Sequence, residues 1–188
     1  MGRIVVTEFV SLDGVMEDPG GAEDFRYGGW TFEIERGDDG NSFKLDETRE
    51  AEALLLGRKT YEGFAEAWPT REGEFADKFN SMPKYVVTSE LENPDWHNST
   101  VLEGDVVEAV AKLKDDQDGD IYVHGSGQLT RTLIENDLVD ELRLMVFPVV
   151  LGSGMRLFGE TSDKKRLRLV DSKVVGDGVV ILIYAPGS

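Results

Sequence analysis

The chain has 188 residues and no cysteine, and its 37 acidic and 20 basic side chains give a net charge of −17 at pH 7. This acidity excludes nucleic acid and anionic membrane surfaces as partners, and the absence of cysteine excludes disulfides, thiolate chemistry and cysteine metal sites. With no apolar run near the roughly 18 residues of a membrane span and no signal-peptide pattern, we expect a cytoplasmic protein with one domain over residues 1–188.

The first half of the chain is predicted to alternate strands and helices. β-Branched residues over 3–10 predict a strand that closes at the Asp13-Gly14 turn. The glycine- and acid-rich segment 17–42 predicts a long loop with at most short helical turns. The other elements predicted here are helices at 43–52, 59–67 and 74–80 and strands at 53–56 and 84–88.

The second half is predicted to end in strands. A short strand at 100–102 precedes a helix at 106–114, which Asp105 can cap, and a strand at 120–123 follows. The hairpin turn Gly176-Asp177-Gly178 separates the last two strands. This alternation predicts an α/β sheet that is mostly parallel with an antiparallel edge. The elements that complete it are a helix face of Leu129, Leu133, Ile134 and Leu138 and strands at 141–150, 167–175 and 179–185.

The stretch LLLGRKTYEGF, residues 54–64, places two adjacent cations directly after a predicted buried strand. A strand that leads straight into a helix exposes free backbone N–H groups and the positive end of the helix dipole. Cations are disfavoured there unless an anion joins them, so Arg58, Lys59 and Thr60 are candidate phosphate ligands. The alternative is that both cationic side chains extend into solvent. The stretch matches neither the P-loop nor the GxGxxG pattern.

Two further strand ends carry groups suited to phosphate. In IYVHGSGQLTRTL, residues 121–133, Gly125-Ser126-Gly127 can bring backbone amides and a helix N-terminus to a pyrophosphate, although a tight turn alone also explains the glycines. In VVTSE, residues 86–90, the hydroxyls of Thr88 and Ser89 follow a strand. Ligands of open α/β sheets bind beyond the carboxyl ends of the strands, and three such ends together favour a nucleotide cofactor.

The stretch SLDGVM, residues 11–16, contains the candidate catalytic residue Asp13. At the mouth of a central cleft its carboxylate can orient a substrate or hand on a proton, directly or through a water, and the long loop behind it can serve as a lid. A plain Asp-Gly turn is the alternative. With only two histidines and no HExxH pattern, a Ser–His triad and a transition-metal site are both disfavoured.

Together these stretches resemble the dihydrofolate-reductase-like family, and more closely its branch that contains the reductase domain of the bifunctional riboflavin biosynthesis protein. The resemblance spans nearly the whole chain. It implies a three-layer α/β/α fold with a mostly parallel central sheet and an antiparallel C-terminal edge, NADPH as cofactor, and a homodimer. Its carriers are SLDGVM, LLLGRKTYEGF, YVVTS, IYVHGSGQLTRTLI and LVDELRLMVFPVVLGSGMRLF.

The resemblance also implies site residues. Asp13 and Gly14 border the nicotinamide and the substrate, and Thr88 and Ser89 meet the adenosine end with its 2′-phosphate. The motif at 152–158 marks the branch and is expected near the substrate or the dimer contact. The cofactor phosphates are expected at Gly57, Arg58, Lys59 and Thr60, the pyrophosphate at Gly125, Ser126, Gly127, Gln128 and Leu129, and the branch motif comprises Gly152, Gly154, Arg156, Leu157 and Phe158.

Two departures from the family pattern bear on function. His124-Gly125-Ser126-Gly127 replaces the usual Gly-Gly pair, and no carboxylate of segment 17–37 aligns with the pterin-binding acid of dihydrofolate reductases, which argues against folate. The predicted function is NADPH-dependent reduction of a small heterocyclic C=N or C=O substrate. The ribosylamino-pyrimidine phosphate of riboflavin synthesis is one candidate. The rival hypotheses are an NADP(H)-binding module without turnover and a fold in which the glycines and cations are structural only.

Overall fold

An eight-stranded sheet forms the centre of the computed structural model, which describes residues 1–188. The strands are β1 (Ile4–Ser11), β2 (Ala53–Gly57), β3 (Lys84–Val87), β4 (Ser99–Leu102), β5 (Ile121–His124), β6 (Glu141–Phe147), β7 (Leu167–Val175) and β8 (Val179–Pro186). Their order across the sheet is β4-β3-β2-β5-β1-β6-β8-β7. The first six are parallel, β8 is antiparallel to β6, and β7 is antiparallel to β8.

Helices cover both faces of this sheet. They are α1 (Gly37–Glu50), α2 (Arg58–Ala67), α3 (Glu74–Ser81), α4 (Val106–Asp116) and α5 (Gly127–Glu135), with short 3₁₀ helices at Trp30–Glu33 and Trp68–Thr70. The first three α-helices pack on one face and the last two on the other. This arrangement confirms the predicted three-layer fold with an antiparallel C-terminal edge. None of the helices combines the length and the hydrophobicity of a membrane span.

The side chains of β1 point alternately into two core clusters, one on each face of the sheet, as expected for a strand that is buried on both faces. Ile4 and Val6 pack with residues of α4 and α5, such as Val110 and Leu133, and are fully buried. Val5 packs in the opposite cluster, which α2 and α3 complete. Farther along β1, Glu8 on the first face and Thr7 on the second are buried polar residues.

Three element boundaries differ from the sequence prediction by three residues or more. Helix α1 begins at Gly37 rather than at residue 43. Gly40 in its first turn is buried close to Arg36 and Val175, a tertiary contact that a sequence-based propensity does not include. Strand β6 ends at Phe147, since Pro148 has no N–H to continue the ladder. Leu138 lies beyond the end of α5 at Glu135.

The parallel strands end at a topological switch point. The chain leaves β2 toward α2 on one face of the sheet and leaves its neighbour β5 toward α5 on the other face. Connections that diverge in this way leave a crevice at the carboxyl ends of the two strands, where α/β proteins bind ligands. Both stretches singled out as phosphate sites lie at this crevice.

Candidate functional site

The N-termini of α2 and α5 are joined to each other by hydrogen bonds at the crevice. The Ser126 N–H donates to Thr60 Oγ1 at 2.9 Å, and the Gly57 N–H donates to Ser126 Oγ at 2.9 Å. The Ser126 hydroxyl in turn donates to the carbonyl of His124 at 3.1 Å. The two predicted phosphate motifs, 66 residues apart in the chain from Thr60 to Ser126, therefore form one structural unit.

The turn before α5 has a constrained backbone. Gly125 and Ser126 are both left-handed, with φ of 56° and 58°. A Cβ at Gly125 would lie 2.9 Å from Thr60 Oγ1, so glycine is required there both for conformation and for space. A left-handed serine costs about 1 kcal/mol, and its three hydrogen bonds hold it in place. The glycines predicted to be functional thus have a local structural role as well.

The backbone amides of the turn divide into two groups. The Gly125 N–H donates to Glu8 Oε2 at 3.0 Å and the Ser126 N–H to Thr60, so these two amides are satisfied within the protein. The N–H groups of the first three residues of a helix have no partner inside the helix. In α5 these belong to Gly127, Gln128 and Leu129, and they are the amides of the predicted set that can meet an anion. The side chain of Leu129 packs in the core, whereas that of Gln128 is exposed.

The two cations of α2 lie at the surface beside carboxylates. Arg58 is 43% exposed and forms ion pairs with Glu62 at 3.3 Å and Glu90 at 3.2 Å. Lys59 is 71% exposed and lies 3.4 Å from Glu23. Exposed pairs of this kind contribute little stability, so an anion of higher charge can displace the carboxylates.

Thr88 and Ser89 follow β3 on the same edge of the sheet. Val87 pairs with Gly57, so the two hydroxyl residues come after the strand end next to the α2 N-terminus. Thr88 Oγ1 accepts the N–H of Glu90 at 3.0 Å, and Ser89 is exposed. The ion pair between Arg58 and Glu90 connects this strand end to α2.

Asp13 is held by hydrogen bonds from a loop far along the chain. Its carboxylate accepts the Ser11 hydroxyl at 2.6 Å and the N–H groups of Leu151 and Gly152 at 3.1 and 2.9 Å. The Ser11 hydroxyl contributes most to lowering the pKa of Asp13 to about 2; burial opposes it, and the Gly152 and Leu151 amides add to the lowering. At neutral pH this carboxylate is therefore ionised and engaged by its own loop partners.

The SLDGVM stretch and the branch motif interlock. Met16 and Met155 are joined by a backbone hydrogen bond of 2.8 Å, and the Leu157 N–H donates to Gly14 O at 2.9 Å. Glu17 Oε2 accepts the Met155 N–H at 2.7 Å. We call residues 11–17 and 151–157 together the loop clamp. Its two methionine side chains lie against Gly127, where a Cβ would be 2.8 Å from Met155 and 3.0 Å from Met16, so the clamp contacts the N-terminus of α5.

Sequence reasoning missed a buried polar group on the α1 face of the sheet. Thr7 Oγ1 lies 2.9 Å from both Lys44 Nζ and Glu47 Oε1, and the lysine and the glutamate form an ion pair. A helical carboxylate after the first loop thus exists, at Glu47, but it is paired inside the protein. A lysine and a glutamate three apart in a helix give no signal of burial, so the sequence alone could not identify them.

His124 lies beside Thr7 in the neighbouring strand. Phe64 of α2 and Phe79 of α3 pack around its ring, at centroid distances of 6.3 and 5.3 Å. Burial, and secondarily the charge of Lys44, lowers the pKa of His124 well below its ordinary value, so the imidazole is neutral. Helix α1 therefore covers Thr7, while α2 and α3 cover His124, the residue just before the Gly125 turn.

An apolar depression of about 240 Å³ lies next to the loop clamp. It is bounded by the 3₁₀ helix at Trp30–Glu33 and by the segment after β6, whose Leu151 N–H is bound to Asp13. The lining residues are Tyr27, Trp30, Glu33, Val149, Val150 and Leu151.

The chain resembles known proteins over nearly its full length. Residues 3–181 match the family model described as the RibD C-terminal domain. The uncharacterized protein YyaP of Bacillus subtilis is 30% identical over 187 residues, which cover 97% of this chain and 94% of the relative. The uncharacterized protein YwjB of the same organism is 32% identical over 171 residues, 90% of each chain.

Solved structures share the fold. A putative riboflavin biosynthesis protein from Shewanella sp. PV-4 superposes with a TM-score of 0.80 at 22% identity, covering 99% of both chains. A diaminohydroxyphosphoribosylaminopyrimidine deaminase/5-amino-6-(5-phosphoribosylamino)uracil reductase from Thermotoga maritima superposes with a TM-score of 0.66 at 15% identity. There the match covers 99% of this chain and 57% of the other. On the match of its sequence over residues 3–181, the chain belongs to the RibD C-terminal domain family.

Proposed function

We propose that the protein is an NADPH-dependent reductase that transfers a hydride to a small heterocyclic substrate with a C=N or C=O group. The observation that carries this proposal is the joining of the α2 and α5 N-termini beside Arg58 and Lys59. Two helix dipoles and two cations at one crevice suit a ligand with several phosphates. In a chain with a net charge of −17, such a site is otherwise unexpected.

The residues present fit the dinucleotide by their donor chemistry. The free amides of Gly127, Gln128 and Leu129 suit the pyrophosphate. Gly57 and Gly125 have no side chains, so the two strand ends lie close together at the crevice. Arg58 and Lys59, with the Thr88 and Ser89 hydroxyls on the neighbouring strand end, suit a 2′-phosphate. When bound, NADPH supplies the hydride.

The protein's contribution is to position the reactants and to exclude water. Of the two roles expected for Asp13, the low pKa favours orientation, because an ionised carboxylate has no proton to donate. In this proposal Asp13 fixes the loop clamp over the α5 N-terminus. His124, the residue before the Gly125 turn, offers a neutral imidazole for hydrogen bonds to a heterocycle.

A pyrimidine-like heterocycle is the proposed substrate class. Support comes from the names of similar structures, the uracil reductase of Thermotoga maritima and a pyrimidine reductase-like protein of Corynebacterium diphtheriae. The second has a TM-score of 0.63 at 15% identity, covering 100% of this chain and 92% of that one.

An NADP(H)-binding module without turnover is the second candidate, and one observation favours it. Asp13, expected to orient the substrate or to supply a proton, is fully engaged in the loop clamp. A protein that only binds the nucleotide needs the joined helix N-termini and no proton donor.

Calorimetric titration with NADPH, NADP⁺ and NADH tests the proposal. We expect micromolar affinity for NADPH, weaker binding of NADH, and loss of that difference in Arg58→Ala/Lys59→Ala. The matched control is Arg49→Ala/Lys112→Ala, which removes two exposed, carboxylate-paired cations elsewhere and leaves binding unchanged. Oxidation of NADPH by pyrimidine-like acceptors then separates the enzyme from the module. Failure of every nucleotide to bind, at low and high salt, contradicts both.

A homodimer remains part of the proposal. Strand β7 is at the sheet edge with eight of its nine residues exposed, among them Leu167, Leu169 and Val174. An apolar edge strand of this length suits pairing with a second copy of the chain. Analytical ultracentrifugation of the wild type and of Leu169→Lys/Val174→Lys tests it; a monomeric wild type contradicts it.

A further inference from the structure

Glu8 is a buried carboxyl group that the proposed reaction does not use. It lies in the middle of β1 on the face covered by α4 and α5, and it is 5% exposed. Its Oε2 accepts the Gly125 N–H at 3.0 Å, whereas its Oε1 is buried without a hydrogen-bond partner. The buried cation Lys44 is committed to Glu47 and Thr7 on the opposite face of the sheet.

These surroundings do not suit a charged carboxylate. An ionised carboxylate without a paired cation is very costly to bury, and an oxygen without any donor adds to that cost. A protonated carboxyl group carries no charge, leaves one O–H unsatisfied and still accepts the Gly125 N–H, so it is much less costly to bury. The geometry alone therefore favours the neutral form.

Taken together, the effects of burial and of the charged and polar groups around Glu8 also favour the protonated form of its carboxyl group. Burial raises the pKa of Glu8 well above its ordinary value. From α1 across the sheet, the charge of Lys44 opposes this increase and that of Glu47 adds to it. The Gly125 N–H also opposes it, and so does the nearby Thr130 hydroxyl of α5, although that hydroxyl donates its hydrogen bond to the Gly125 carbonyl rather than to Glu8. Burial is the largest of these effects, so the carboxyl group holds its proton at neutral pH.

We propose that Glu8 is a positioning residue of the pyrophosphate site: its neutral carboxyl group fixes the Gly125 turn from behind without repelling the anionic ligand in front. This inference rests on the proposed nucleotide binding. Position and charge state are both needed, because an apolar residue would leave the Gly125 N–H unsatisfied. A carboxylate would place a negative charge behind the amides that are to bind phosphate.

The test is Glu8→Gln, which keeps the shape and the acceptor oxygen and cannot ionise. At pH 7 we expect its Kd for NADPH to lie within about twofold of the wild type, because both side chains are neutral there. As the pH rises and Glu8 ionises, the wild type loses affinity, by about tenfold for a unit charge near the phosphates, whereas Glu8→Gln does not share this loss. Glu8→Ala, which removes the acceptor, binds more weakly at every pH.

Thermal unfolding without nucleotide gives an independent readout. A carboxyl group whose pKa is raised by folding contributes stability that is fully present below its unfolded pKa and is lost as the pH rises toward its folded pKa. The Tm of Glu8→Gln should therefore match the wild type near pH 4 and exceed it near pH 7.5. The control Glu47→Gln, which leaves Lys44 unpaired, should lower the Tm at pH 7.5.

The outcomes separate the two proposals. Glu8→Gln that binds NADPH much more tightly than the wild type at pH 7, or that shows the same alkaline loss, overturns the role of Glu8. Equal Tm values at pH 7.5 overturn its neutral state. If the wild type binds no nucleotide, the proposed function and the positioning role fail together, while the unfolding measurements still decide the charge state of the carboxyl group.

Discussion

Asp13 and Gly152 are 139 residues apart in the chain and are joined by a hydrogen bond of 2.9 Å from the Gly152 N–H to Asp13 Oδ2. This contact ties the loop after β1 to the loop after β6, two strands that are neighbours in the sheet. An Asp-Gly turn thus serves as the anchor for a second motif that is distant in sequence. The carboxylate that looked catalytic from its position is first of all a structural ligand for two backbone amides.

Asp13→Asn is expected to destabilise the protein by about 1–2 kcal/mol, because one amide partner is lost and the charge-assisted bonds are weakened. Since folding lowers the pKa of Asp13 to about 2, its contribution is present above the unfolded pKa of 3.8 and is lost as the pH falls toward 2. Urea unfolding of both proteins at pH 7 and in this acid range measures the effect. An unchanged acid profile in the variant would show that Asp13 does not hold the clamp.

Thr60→Val tests the connection between the two helix N-termini. The valine has nearly the same shape but cannot accept the Ser126 N–H, so one half-buried amide loses its partner. We expect a loss of about 1 kcal/mol in stability and of about tenfold in NADPH affinity. The control Thr60→Ser keeps the hydroxyl and should bind normally. Equal affinities for the valine and serine variants would mean that the ligand does not depend on this link.

Glu90→Gln is expected to sharpen the preference for NADPH over NADH. Glu90 forms an ion pair with Arg58, the cation proposed to bind the 2′-phosphate of NADPH. A carboxylate at this position repels that phosphate, whereas it can accept a hydrogen bond from the free 2′-hydroxyl of NADH. Titration calorimetry should show NADPH binding tightened by about fivefold, with NADH unchanged or weaker. Glu62→Gln, which removes the other carboxylate of Arg58 from the same helix, should change the ratio less. A ratio that is unaffected by Glu90→Gln contradicts this role.

Lys84 is expected to make the stability of the protein depend on pH in the alkaline range, independently of the crevice. It is fully buried, donates to the carbonyls of Asn80 and His97 at 2.8 Å, and burial lowers its pKa from 10.5 to about 8. A lysine whose pKa is lowered by folding makes the protein gain stability as the pH rises from about 8 to 10.5.

Urea unfolding across this range should show the Lys84 gain in the wild type and lose it in Lys84→Met. The exposed Lys164→Met is the control and should keep the wild-type slope. A Lys84→Met protein with the same slope would assign the alkaline dependence to another group. Because Lys84 lies at the start of β3, nucleotide binding should not respond to its charge.

The sheet could be predicted from the sequence because its signals are local. Apolar strands such as 53–56 and the Gly176-Asp177-Gly178 turn each need only a few residues to be recognised, and the structure contains both elements. The start of α1 could not be predicted in the same way. Gly37 and Gly40 have low helix propensity, and close packing of Gly40 against Val175 offsets this only in the folded protein.

The location of the site could be predicted, because each motif directly follows a predicted strand; the contacts between the motifs could not. Nothing local shows that the Ser126 N–H and hydroxyl would be used to join α2 to α5, or that Asp13 would bind amides near residue 151. Glu8 did leave one signal, since a carboxylate in the middle of the strand IVVTEFVS interrupts a face that is otherwise apolar. Glu47 left none, because an acidic residue in a charged helix is ordinary.

The place of β1 in the sheet also determines when the crevice can form. Its only neighbours are β5 and β6, which begin at Ile121 and Glu141, whereas β2, β3 and β4 pair in the order in which they are synthesised. Insertion of β5 between β2 and β1 closes a long loop, a high-contact-order step that slows folding. A nascent chain that ends before residue 121 therefore carries both cations of the phosphate motif but none of the second helix N-terminus, and the binding surface is among the last parts of the molecule to acquire its shape.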